Sequence, residues 1–238
     1  MKTPMNELTG KKAIVTGGGS GVGRAVAEAL VREGVDVVIA SRRRETLEAA
    51  ALELNAIGPG KAHACVCDLR DAASVRGTVA FALALFPTID ILIDNSGLGV
   101  QPKIVDCTEE EWDLVLDTNL KGAFLMIQAA LPTMIRGRNG YIINIASQAA
   151  KHGYSQAGPY CASKFGLLGL GEALQEEVRE YGIRVHSLCP ALIQVPRPAS
   201  PSALRTGVLQ VDDLAASVLF LLRQPARIKF ENIGLYHL

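Results

Sequence analysis

Six runs nearly continuous in Val, Ile and Ala recur along this chain, each followed by a stretch of helical character. They read KAIVTG, VDVVIA, KAHACVC, IDILIDN, GYIINIA and IRVHSLCP. Helices are expected at 22–33, at 44–55 (ended by GPG), at 72–86 (stopped at Pro87), at 109–119, 120–136, 159–181 and 211–223. IKFENIGLY supplies a last strand. Strands without polar alternation are buried on both faces. Alternating with helices, they specify a parallel sheet covered on both sides. Right-handed crossovers then lead to a doubly wound α/β fold of about seven mostly parallel strands. A length of 238 residues admits two small domains or one large one. No linker or internal repeat divides the chain, so a single domain over 1–238 is expected.

Composition narrows the partners. Hydrophobic residues make up 49% of the chain, enough for a large core, and the formal net charge is zero. No global charge attracts nucleic acid or an anionic membrane, so neither is expected as a partner. The start, MKTPMNELTGKK, lacks an apolar signal core, and no run approaches the ~18 apolar residues of a membrane span. The five cysteines, 65, 67, 107, 161 and 189, are odd in number and form no CxxC. They read as free thiols of a reducing cytosol, and a cytoplasmic location follows. Cys65 and Cys67 share one face of a strand, but no His or Cys cluster accompanies them, so no metal is expected.

TGGGSGVG, 16–23, ends the first strand and opens the first helix. It does not fit GxGxxG in any register. Gly17, Gly21 and Gly23 nevertheless allow a tight turn and close backbone approach, and the helix start offers free N–H groups to a pyrophosphate. The plain alternative is a tight turn with no ligand. Its place in the first βαβ unit favours a nucleotide.

Tyr160 and Lys164, in PYCASKFG, stand one helical turn apart and share a face. An ammonium beside a phenol favours the phenolate, which makes the tyrosine a general acid/base. An isolated YxxxK is more often a surface pair. Here Ser147 ends the fifth strand, and that strand end and the following helix converge at the carboxyl edge of the sheet. Both hydroxyls then reach one ligand atom. Asn119, at the junction of two helical stretches, is placed to bind backbone or water near Lys164.

These segments together resemble the short-chain dehydrogenase/reductase family over about residues 9–225. TGGGSGVG is similar to its TGxxxGxG turn, Asp68 in VCDLRD to the acid that contacts the adenine amine, and DNSG, 94–97, to its NNAG element. Asn119, Ser147, Tyr160 and Lys164 match its catalytic tetrad. The resemblance implies a Rossmann fold and hydride transfer between a nicotinamide cofactor and a ketone or secondary alcohol. Tyr160 would exchange the hydroxyl proton and Ser147 would hold the substrate oxygen. Lys164 would lower the tyrosine pKa and bind the ribose, and Asn119 would hold a relay water. The implied cofactor contacts are Gly17, Gly19, Ser20, Gly21, Val22, Gly23, Ser41, Arg42, Arg43, Asp68, Leu69, Asn95, Gly97, Tyr160, Lys164, Pro190 and Ile193.

Enzymes of this fold that use NAD usually place an acid at the end of the second strand. Here that strand runs into Ser41, followed by Arg42, Arg43 and Arg44. Cations at a helix start oppose its dipole, and a bound 2′-phosphate resolves the conflict. NADP(H) is therefore expected over NAD(H).

The chain also departs from the pattern. Asp94 and Ser96 replace the first Asn and the Ala of NNAG. CPALIQVP, 189–196, carries Ala191 for a glycine and Val195 near the usual threonine that touches the nicotinamide. Gln148, His152 and Tyr154, between Ser147 and Tyr160, are candidate substrate contacts. Cys161 and Trp112 read as packing residues. The segment 190–210, with prolines at 196, 198 and 201, is expected to form a short mobile cover rather than a helical lid. The helices 120–131 and 162–174 are apolar or small on nearly every side, which suits core or a homodimer or homotetramer interface. Two other functions compete with the oxidoreductase. A non-catalytic NADP-binding regulator would explain Ala191 and Val195. A methyltransferase of the same architecture gives no reason for Ser147, Tyr160 and Lys164 together.

Overall fold

The computed structural model describes residues 7–195, 207–225 and 227–237. Its main sheet has seven strands in the order β3-β2-β1-β4-β5-β6-β9, and every pairing is parallel. The strands are β1 Lys12–Thr16, β2 Asp36–Ser41, β3 Ala62–Val66, β4 Ile91–Asp94, β5 Gly140–Ile145, β6 Ile183–Pro190 and β9 Ile233–Leu235. The order reverses between β1 and β4, the switch point at which open α/β sheets bind ligands.

The helices are α1 Gly21–Arg32, α2 Arg44–Leu54, α3 Ala72–Leu85, α4 Glu109–Leu116, α5 Gly122–Gly137, α6 Gly158–Val178 and α7 Val211–Arg223. Two apolar layers sandwich the sheet, because neighbouring strand residues point to opposite faces and both faces are covered. Val15, Ile39, Ile93 and Ile143 pack under Leu30 of α1 and Val218 of α7. Ile14, Val38, Leu92 and Ile142 pack under Val79 of α3, Met126 of α5 and Leu174 of α6. Ile14 and Val15, though adjacent, are both fully buried, as the unbroken apolar runs require.

Local signals fix the helix starts. Asp71 caps α3 by accepting from the Ala73 amide at 2.8 Å. Thr108 and Glu111 form a reciprocal capping box at α4, with both bonds at 3.2 Å. Ser20, at the cap of α1, makes no side-chain cap bond. Its hydroxyl and the amides beside it stay available to a ligand.

The structure differs from the sequence expectation in three places. The helices at 109–119 and 120–136 are joined by a π turn, Asp117–Lys121. The resulting stretch, Glu109–Gly137, is long and apolar enough by length and composition to cross a membrane, against the expectation of no such run. In this fold Ala123, Met126, Ala130 and Met134 bury its inner side. The last strand is reduced to Ile233–Leu235, beside Leu188–Pro190 of β6. Of the expected cover, the described ends form a two-stranded parallel pair, β7 Ile193–Gln194 with β8 Leu209–Gln210. The rest of that expectation, 196–206, lies outside the described residues.

Candidate active site

The glycine turn leaves β1 and enters α1 at the switch point. Gly17 and Gly21 have positive φ, 66° and 55°, a region that glycine enters without steric cost. A Cβ on Gly23 would stand 2.4 Å from the Gly17 carbonyl oxygen and 2.5 Å from Asn95 Nδ2. Only glycine lets the helix start lie this close to the turn. Asn95 closes the other side by donating from Nδ2 to the Thr16 carbonyl at 3.0 Å.

Beside this turn lies a cavity of about 510 Å³, the larger of the two described. Its floor includes Gly17, Ser20, Asn95 and Gly97, and its outer rim Ser41, Arg42 and Arg43. Asp68 and Leu69 form the wall at the end of β3. These nine predicted cofactor residues are brought together. Four wall residues escaped the sequence reading: Cys67, Ser96, Leu98 and Thr118. Three of them adjoin predicted positions at strand ends, which is the signal that points to them. Thr118, at the edge of the π turn, carries none.

The remaining predicted contacts stand apart from the cavity wall. Gly19 faces Leu47 and Thr46 of α2, and Gly21 lies under Val195, whose methyl would be 3.1 Å from a Cβ there. Val22 packs against the α1-side core. Pro190 lies at the end of β6, and the adjoining Ala191 amide donates to the Leu235 carbonyl at 2.8 Å. Ile193 sits in the short pair with Leu209.

Charges at the rim are ordered. The Arg70 guanidinium holds both oxygens of Asp68, at 3.0 and 2.7 Å, and pulls its carboxyl down to about 2, with Arg42 adding to the pull. Arg44 pairs with Glu48 on its own helix at 3.3 Å, so Arg42 and Arg43 are the exposed cations that border the cavity.

The predicted tetrad assembles at the carboxyl edge of β4 and β5. Ser147 follows β5, and its oxygen accepts from the Ala149 amide at 3.1 Å. Burial pushes the Tyr160 phenol above its ordinary value, and a hydrogen bond with Ser147 draws it partly back. The net lowering expected from Lys164 is not seen, because burial outweighs it: Lys164 Nζ is 5.9 Å from the Tyr160 ring centre and donates to the Ile145 carbonyl at 2.9 Å. Lys164 is itself buried, and desolvation lowers its pKa. Asn119, fully buried in the π turn, clamps the 96–99 segment. Its Oδ1 accepts from the Leu98 amide at 2.9 Å, and its Nδ2 donates to the Leu98 carbonyl at 2.8 Å and to Ser163 at 3.0 Å. The expected backbone contact is present, and it sets where Gly97 and Gly99 approach Lys164 and Tyr160.

Of the predicted substrate contacts, the Gln148 side chain accepts from the Tyr154 hydroxyl at 3.3 Å. His152 and Tyr154 are exposed on the turn between Ser147 and α6. The His152 carbonyl accepts from Cys161 at 3.8 Å, which accounts for the buried thiol as a packing group. Among the described residues no His, Cys, Asp or Glu cluster could hold a metal.

Asp94, at the end of β4, is fully buried, and burial raises its carboxyl to about 6 although Lys164 and a Thr16 hydrogen bond lower it. A carboxyl raised on folding holds its proton longer in the folded protein. Its contribution is therefore favourable below the unfolded value of 3.8 and is lost as pH rises through 6. Between pH 4 and 7 the wild type should lose about 2 kcal/mol more stability than Asp94→Asn. Urea titrations at both pH values check this, and parallel curves would contradict it.

A family model described as short chain dehydrogenase matches residues 11–202. The chain belongs to the short-chain dehydrogenase family. An uncharacterised oxidoreductase of Staphylococcus aureus is 33% identical over 229 residues, 96% of this chain and 98% of its own. One of Staphylococcus haemolyticus is 30% identical over the same length. Among solved structures, the alcohol dehydrogenase of the archaeon Thermococcus sibiricus, complexed with 5-hydroxy-NADP, superposes with a TM-score of 0.88 at 26% identity, over 95% of this chain and 96% of its own. Levodione reductase superposes with a TM-score of 0.87 at 27% identity, over 96% of both chains. This dehydrogenase is thus an oxidoreductase with the Rossmann-type fold of its family.

Proposed function

We propose that this dehydrogenase transfers a hydride between NADP(H) and a ketone or secondary alcohol, with Tyr160 as general acid/base. The observation that carries the reading is that Ser147, just after β5, acts on the Tyr160 phenol of α6 beside a cavity rimmed by Ser41, Arg42 and Arg43. The residues present fit a dinucleotide. A turn held open by glycines lies at a helix start, and Thr118 Oγ1, a buried oxygen without a partner, belongs to a residue of the cavity wall. When bound, the cofactor supplies or accepts the hydride. The chain binds the diphosphate on the amides near Ser20, receives the 2′-phosphate on Ser41 and Arg42, and holds the substrate oxygen between Ser147 and Tyr160. In reduction Tyr160 donates its proton to that oxygen. In oxidation it must first be phenolate. The complex of the archaeal relative with an NADP derivative favours the same cofactor class.

A homo-oligomer is part of this reading, because α5 and α6 leave Phe124 and Phe165 43% and 46% exposed. One observation favours the second reading, a non-catalytic NADP-binding regulator: Val195 sets methyl groups over Gly21 where a hydroxyl is usual. A titration with NADPH followed by turnover on ketones, 3-oxoacyl thioesters, sugars and steroid-like alcohols separates the two. Turnover of any of these supports the enzyme. Tight NADPH binding with none supports the regulator.

A further inference from the structure

Four polar residues form a row across the middle of the sheet. Asp94 and Asn144 are paired in register, as are Asn144 and Ser187, and Thr16 follows the paired Val15 on the other side of Asp94. All four point to the side on which Ile14, Leu92, Ile142 and Val185 pack under α5 and α6, one step below. Lys164 approaches from α6. Asp94 is 1% exposed, Asn144 is fully buried, and Lys164 is 2% exposed.

Asp94 has little to stabilise a charge. Its Oδ1 accepts from the Thr16 hydroxyl at 3.1 Å, and its Oδ2 has no hydrogen-bond partner. Neither polar atom of the adjacent Asn144 side chain has one. A carboxylate in such a place needs a nearby cation or stays protonated. Lys164 is the cation brought near it: its Nζ bonds the carbonyl of Ile145, next to the Asn144 that pairs with Asp94 in register, and its charge favours the carboxylate. Lys164 in turn bonds the Ile145 carbonyl, and the ionisable groups that favour its charge are Asp94 and, from β6, Cys189. Lys151 faces Cys189 from the turn after Ser147. The Thr16 hydroxyl that bonds Asp94 also accepts from the amides of Asn95 and Ser96 at 3.0 Å. This ties the carboxylate to the segment that lays Gly97 against Lys164 and Gly99 against Tyr160.

We propose that Asp94 is a positioning residue of the reaction, an internal counter-ion that keeps Lys164 protonated and so holds Tyr160 in its working state. The inference rests on Tyr160 being the proton-transfer group. Removing one proton from the Tyr160–Lys164 pair leaves either phenolate with ammonium or phenol with amine. Only the first accepts the hydroxyl proton of an alcohol while the carbinol carbon releases its hydride to NADP⁺ and becomes a ketone. Asp94 favours the charge of the neighbouring Lys164, so its negative charge favours the first form.

Rates of alcohol oxidation across pH test this. In the wild type, the fall of log kcat/KM as pH drops should steepen around pH 6 from a slope of about one, set by Tyr160, to about one and a half, as Asp94 also takes a proton. In Asp94→Asn the slope should be one, with kcat on the alkaline plateau about ten-fold lower for a coupling of about one pK unit. In a Lys164→Met background the same change should do nothing further. Equal slopes, or an unchanged effect in that background, would overturn the inference. A substrate-free measurement keeps it apart from the function itself. The infrared carbonyl band of a protonated buried acid should vanish with a midpoint near pH 6, be absent in Asp94→Asn, and move to higher pH in Lys164→Met. A midpoint unmoved by Lys164→Met refutes the pairing even if the protein turns nothing over or the Asp94 variant does not fold. A shifted midpoint with no turnover leaves the pairing standing and removes the proposed function.

Discussion

Tyr160→Phe should abolish turnover while leaving NADPH affinity within about three-fold of wild type. General acid/base catalysis contributes roughly 10²–10⁴-fold, and the substitution removes that group and nothing else of consequence. The ring stays. It packs where Gly99 approaches, so closely that a Cβ on Gly99 would stand 3.4 Å from Tyr160 Cδ2, and phenylalanine fills the same space. The main local loss is the interaction of the phenol with the Ser147 side chain that draws its pKa down. Stopped-flow or steady-state rates with any ketone substrate, alongside a fluorescence titration with NADPH, read both quantities. Residual activity above about a tenth of wild type would remove Tyr160 from the role. The direction of its pKa shift adds a pH signature. A phenol pushed above its ordinary value by burial stays protonated through neutrality, so reduction should be flat there. Oxidation, which needs the phenolate, should rise with pH.

The fold was legible because its signal is repeated. Six apolar runs, each long enough to be buried on both faces and each followed by a helix, leave a parallel doubly wound sheet as the economical solution. The switch point at β1 and β4 then places the glycine turn and the end of β4 side by side. Serine, tyrosine and lysine were legible for the same reason: a strand end and the next helix converge on one edge. What stayed hidden depends on which neighbour a side chain prefers once buried. Spacing four on a helix puts Tyr160 and Lys164 on one face, but it says nothing of the Ile145 carbonyl, 19 residues away, that takes the lysine proton donor instead. Asp94 looked like a minor departure in a four-residue element. Its meaning comes from full burial and from the cation that α6 brings to it. Thr118 was invisible because a π turn, unlike a capping box, announces itself by no residue type.

The double substitution Ser41→Asp with Arg42→Ala should reverse the cofactor preference. In the wild type the end of β2 offers a half-buried hydroxyl at Ser41 and an exposed guanidinium at Arg42, both on the cavity rim. A 2′-phosphate accepts from both, and hydrogen bonds to charged groups are worth about 1.5–3 kcal/mol. Losing the guanidinium contact therefore weakens NADPH by about 10- to 100-fold. An aspartate at 41 adds like-charge repulsion against the phosphate and gives the free ribose hydroxyls of NADH an acceptor. Asp68 adds to the result. Its carboxylate is already held by Arg70 and lies within the field of Arg42, so removing Arg42 leaves that corner more negative and turns it further against the phosphate. Arg43, at the cap of α2, remains and keeps part of the NADPH affinity. Dissociation constants for NADPH and NADH on both proteins decide the matter. The wild type should bind NADPH more tightly by about ten-fold or more, and the double variant should favour NADH. Tighter NADH binding by the wild type would overturn the assignment of Ser41 and Arg42, and it would leave the roles of Tyr160 and Ser147 untouched.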